Sequence, residues 1–137
     1  MTRYLEMLGP RPFENGVDEN NRIQFTMNFE AMAAGPVGQW AYDLQKILAD
    51  AGLSTISPAA SRDTWIGPSA TLATGDGPYI RINETGAAQS EETHNADEYE
   101  MLSAQITVSA KSRTVVETRA LAVWRAINRS RGVTVSP

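Results

Sequence analysis

The sequence has no cysteine and a single histidine. The first absence excludes disulfides, thiolate zinc sites and cysteine nucleophiles. The second leaves His94 as the one imidazole that could serve a hydrolytic triad as base. No Gly-x-Ser-x-Gly elbow accompanies it. Nothing approaches the roughly eighteen consecutive apolar residues of a membrane span. The N-terminal stretch lacks even the apolar run of about seven residues that a secretory signal needs, so none is expected. An excess of positive charge is missing too. Twelve Lys and Arg stand against sixteen Asp and Glu, a net charge of −4, so the chain as a whole is not expected to grip nucleic acid.

What is present is an ordinary globular composition, 42% apolar and 20% charged over 137 residues. That is enough for one domain with its own core. The stretch 77–110 organises it. Leu102, Ala104, Ile106, Val108 and Ala110 alternate with Ser103, Gln105, Thr107 and Ser109, which predicts a strand with one face on a core and the other polar. Tyr79, Ile80, Arg81 and Ile82 alternate in the same way. Two such strands joined by a long polar loop predict an antiparallel pair.

Around this pair the remaining elements follow in order. Tyr4, Leu5, Met7 and Leu8 suggest one apolar turn of helix, stopped by Gly9-Pro10. A polar, turn-rich stretch over 14–21 leads to a strand in which Ile23, Phe25, Met27 and Phe29 alternate with polar residues. Residues 1–35 thus read as an extra strand or as an N-terminal arm that orders on a partner. Pro36 opens a helix to Ala51, with Val37, Trp40, Ala41, Leu44, Ile47, Leu48 and Ala51 on one stripe and Gly52 as a left-handed cap. A short strand is expected at 63–66 and a tight turn at 75–78. Ser112 caps a second helix, carrying Val116, Ala120, Val123, Trp124 and Ile127 inward and stopped by Gly132. Residues 133–137 read as a loose tail. The expected fold is α+β: one domain over 36–132, an antiparallel sheet with two helices, about 36–51 and 112–131, packed on one face.

Charge is distributed unevenly. Glu84, Glu91, Glu92, Asp97, Glu98 and Glu100 occur without an intervening Lys or Arg, whereas Lys111, Arg113, Arg119, Arg125, Arg129 and Arg131 face Glu117 alone. Such runs are usually solvated surfaces. They also suit a head-to-tail contact between copies, which closes into a ring. The candidate interface residues are Glu84, Glu91, Glu92, Asp97, Glu98, Arg113, Arg119, Arg125 and Arg129. The two charge runs could equally pair inside one subunit. Chemistry is harder to find. His94, between Thr93 and Asn95 in a polar loop, reads as a surface or structural residue. The loop acids lack the spacing of an EF-hand. Gly75-x-Gly77 lacks the remaining residues of a dinucleotide or phosphate loop and reads as a turn. No catalytic residue, cofactor or metal ligand is assigned.

The string Gly-Pro-Tyr-Ile-Arg-Ile-Asn-Glu-Thr-Gly at 77–86, then Thr93-His94-Asn95, then Tyr99-Glu100 leading into Gln105-Ile106-Thr107-Val108, resembles the tail terminator or minor capsid (head–tail joining) proteins of long-tailed bacteriophages. The helix ending in Gly52-Leu53 and the alanine-spaced helix over 114–129 match the family in order, so the resemblance covers roughly residues 36–131. Residues 1–35 depart from it, since the family starts close to its first helix. The resemblance implies an antiparallel sheet flanked by helices. It also implies a structural virion protein, not an enzyme, placed at the tail–neck junction and assembled in the host cytoplasm. As partners it implies further copies of the chain in a hexameric ring, the major tail tube protein and the head–tail connector or stopper. DNA would pass through without specific binding, and no membrane is involved. The alternatives are another neck or tail-completion component, a monomeric module whose loop at 91–97 takes a cation or small ligand, and a small hydrolase using His94.

Overall fold

The alternation of 102–110 needs a partner strand on each side, and the chain supplies both. The structure, a computed structural model, describes residues 2–34, 40–57, 59–67, 74–87, 91–92, 98–128 and 130–135. In chain order the elements are β1 (Thr2–Leu8), β2 (Phe13–Val17), β3 (Ile23–Ala34), α1 (Trp40–Asp50), a 3-10 turn (Ala59–Ser61), β4 (Thr64–Ile66), β5 (Tyr79–Ala87), β6 (Glu91–Glu92), β7 (Glu98–Ala110), α2 (Arg113–Ile127) and β8 (Ser130–Val135). They build one sheet in the order β4-β5-β7-β3-β1-β8, with β2 also on β3 and β6 on β7. The fold is α+β. The sheet is mixed, however, because β4 runs parallel to β5 while every other pairing is antiparallel. The connection between them, 67–78, has the dozen residues that a parallel crossover requires.

Register sorts the side chains onto two faces. Phe25 lies opposite Val108, Met27 opposite Ile106, Phe29 opposite Ala104 and Ala31 opposite Leu102. Across β7, Ile80 and Ile82 meet Val108 and Ile106. This apolar face is covered by the helices: α2 packs on β3 and β7, and α1 packs on β5, β4 and α2. The buried stripes are Trp40, Ala41, Leu44 and Leu48 on α1, and Val116, Ala120, Val123 and Ile127 on α2. Ala51, expected on the first stripe, is exposed. Gly52, at φ +75°, ends α1 with two bonds, Gly52 N–H to the Ala49 carbonyl and Leu53 N–H to the Leu48 carbonyl. This is the paired-bond cap that a left-handed glycine permits. Ser112 Oγ accepts from Val115 N–H at the start of α2.

The two helix tryptophans tie their helices down. The Trp40 indole N–H donates to the Ser103 carbonyl of β7 (3.3 Å), beside the irregularity that breaks the β5–β7 register between Glu84 and Gly86. A bulge of this kind leaves ladder groups in need of other partners. Trp124 donates to the Gly9 carbonyl (2.9 Å), just past β1.

Three expectations are corrected. The stretch 1–35, expected as an arm or an extra strand, supplies three strands over its described residues 2–34, namely β1, β2 and β3, and β3 sits in the middle of the sheet. The apolar cluster at 4–8 is strand, not helix, because a register shift between Tyr4 and Glu6 brings Tyr4 and Met7, three apart, onto the same buried face. The last segment is not a loose tail. α2 ends at Ile127 with Asn128 as its cap, and Ser130–Val135 forms β8 on the far edge of β1, so Gly132 lies inside a strand. The Pro36 start of the first helix lies outside the described residues.

Candidate assembly surfaces

Of the nine residues expected at an interface, Glu84, Arg113 and Arg119 are engaged inside the subunit. Glu84 is employed inside the subunit: its Oε1 accepts from the Ala41 N–H (3.2 Å) at the start of α1, where a helix N-terminus favours negative charge. It stands near Tyr4, whose hydroxyl donates to Asp43 in the first turn of the same helix. Burial above all, then the bond to Asp43 and the charges of Asp43 and Glu84, push the Tyr4 phenol well above its ordinary 10.0. Arg113 pairs with Glu14 of β2 and, at 3.4 Å, with Glu117 one turn along α2. Arg119 donates to the Leu53 carbonyl (2.9 Å), bridging α2 to the exit of α1. Asp97 and Arg129 lie outside the described residues, as does His94.

Glu91, Glu92 and Glu98 fall on one pair of strands. β6 places Glu91 opposite Tyr99 and Glu92 opposite Glu98, an acid-rich two-stranded ribbon on the flank of β7 away from β3. Arg125, exposed on α2, has no bond or ion pair among the described residues. It lines a groove of about 900 Å³ with Leu8, Gly9, Pro10, Asn28, Glu30, Trp124 and Asn128. The groove opens where β1 leaves β3 at Glu30 and β2 joins it only at Thr26. Gly9 closes this notch. A Cβ there would stand 2.4 Å from the Asn28 carbonyl oxygen, while its N–H donates to Asn128 Oδ1 (3.1 Å). Arg11 covers Trp124 at 5.3 Å from the ring centroid.

The uncovered face of the sheet holds two further features. At one end Arg22, 2% exposed, bonds Asp18 through Nε (2.7 Å), reaches the Gly75 carbonyl (3.3 Å) and stacks over Tyr79 at 4.9 Å. Tyr79 meets Trp65 edge-on at 5.4 Å. Burial raises the Asp18 carboxyl, but the Arg22 and Asn20 N–H groups and the Arg22 guanidinium outweigh it and hold the carboxyl below its ordinary range. Beside this clasp a smaller cleft of about 220 Å³ is lined by Asn15, Gln24, Arg81, Asn83, Gln105 and Thr107. The alternation at 79–82 assigns Arg81 to the polar face. Its lack of an ion-pair partner among the described residues depends on register, which one sequence does not reveal.

Among the described residues no group of three or more His, Cys, Asp or Glu gathers, and no helix is long and apolar enough to cross a membrane. No family model matches the chain, and no curated protein or solved structure matches it either.

Proposed function

We propose that this chain is a structural component of a bacteriophage virion, a tail terminator. In this reading its copies close into a ring on the tail tube and join it to the head–tail connector. The motifs at 77–86 and 93–100 support it, and the α+β fold is of the kind that the resemblance implies. The role is mechanical and not catalytic. A ring of net-negative subunits suits a passage through which DNA must slide without sticking.

The observation that carries the reading is the separation of the acid-rich ribbon from Arg125. Glu98 lies five residues along β7 from Ser103, the partner of Glu30 in the Arg125 groove, roughly 17 Å at about 3.4 Å per residue. β6 is on one flank of β7 and the groove on the other. Complementary charges on opposite flanks satisfy each other between copies, head to tail, and a contact of that type closes into a ring. Such pairs set register and encounter rate more than affinity.

Light scattering after size exclusion, with and without the tail tube protein, tests it. A mass of about six subunits, alone or on the tube, is expected for a closed ring. A monomer that ignores the tube would sink the assignment. Arg125→Glu should shift the assembly toward monomer with the fold intact, whereas Arg119→Glu should also lower subunit stability, because Arg119 bonds Leu53 internally.

A further inference from the structure

Arg81 and Arg125 have no hydrogen bond, ion pair or ring contact among the described residues. They differ in their surroundings. Glu30 lines the same groove as Arg125, without an ion pair to it among the described residues. Among the described residues no acid lines the cleft at Arg81, and the acid-rich ribbon is out of range. Arg81 pairs in register with Thr107, nine residues along β7 from Glu98, about 30 Å at about 3.3 Å per residue.

We infer that the cleft around Arg81 is an oxyanion site that takes one carboxylate or phosphate group. Arg81 is half-buried on the open face, and its guanidinium presents a planar fork of N–H donors that matches both anions bidentately. The hydroxyl of Thr107 and the amides of Asn15, Gln24, Asn83 and Gln105 surround it, each able to donate a further bond. Two amides are already positioned. Asn15 donates to Thr26 Oγ1 (3.3 Å) and Gln105 to Asn28 Oδ1 (3.3 Å).

The lining is polar throughout, which excludes an apolar ligand. At about 220 Å³ the cleft is smaller than the roughly 300–1,000 Å³ that hold a drug-sized molecule. It therefore fits a single anionic group with water. A nucleic acid backbone is not favoured, because the single cation lining this cleft, on a chain of net charge −4, cannot supply the several phosphate contacts such binding rests on. This site stands independently of the ring.

The test is a titration of the whole protein at constant ionic strength, following the Arg81 Nε–Hε resonance, with sodium chloride as the control. Inorganic phosphate, acetate and a synthetic peptide of residues 88–100 are the three probes. Saturation by phosphate or acetate identifies a free small anion as the ligand. Saturation by the peptide alone identifies an acidic segment of another copy. Either result should weaken by about tenfold or more in Arg81→Gln, the loss expected for a charge-assisted pair, and should persist in Arg125→Gln. Arg81→Lys should fall between, keeping the charge without the fork. For the substituted proteins the probe is followed on neighbouring amide signals, and an unchanged thermal melt shows that the fold is retained. Failure of all three probes, or equal binding by Arg81→Gln, overturns the site whatever the oligomeric state proves to be.

Discussion

On β7, Ile106 is fully buried beneath the helices, while Gln105 and Thr107 on either side of it stay half-exposed on the open face. The same backbone thus carries two environments one residue apart, and they are stabilised differently. The covered face is a continuous apolar layer in which position matters through packing. The open face is a lattice of amides and hydroxyls, most of whose hydrogen-bonding capacity water can satisfy. Only its Arg22 end is closed off, by a charge pair and ring contacts. Residues facing the helices therefore hold the fold, and residues on the open face are free to serve a partner.

Truncating the covered face should have the largest effect. Phe29→Ala should lower the unfolding free energy by about 3–5 kcal/mol, read by chemical denaturation. Next comes the closed end of the open face. Arg22→Met leaves Asp18 without its cation and should cost about 3 kcal/mol, and adding Asp18→Asn should recover part of that loss.

pH separates the two faces with opposite signs. Tyr4, under α1, has a raised pKa, so its contribution is complete below pH 10.0 and is lost as pH rises further. Asp18 has a lowered pKa, so its contribution is present above pH 3.8 and is lost as pH falls through the folded value. Stability measured against pH should therefore lose part of its alkaline decline in Tyr4→Phe and part of its acid decline in Asp18→Asn. The smallest effect is expected in the middle of the open face, where Gln105→Ala should stay within about 0.5 kcal/mol. A loss there comparable to that of Phe29→Ala would erase the distinction between the faces.

The long strands and both helices are legible in the sequence because each has an unbroken pattern and a recognisable end. β7 alternates without error, and Gly52 and Ser112 mark helix boundaries that the backbone confirms. β1 is not legible, because the shift after Tyr4 replaces alternation with a spacing of three, which reads as helix. β2 is exposed along its whole length and so has no apolar period to detect. β8 is short and polar, held by pairing to a strand more than a hundred residues earlier. The charge runs were visible, but their use was not. Glu84 is taken up by Ala41, 43 residues away, and Arg119 by Leu53, 66 residues away. Only the packed fold separates a charge spent internally from one left free.

The pairing of β1 with β8 has a consequence for connectivity. Thr2 lies directly opposite Val135, so the two ends of the described chain leave the sheet at one corner. A bridge of a few residues would join them into a covalent circle without disturbing a strand, and the chain could then be opened elsewhere. By the same geometry, a label on either end reports on the same corner.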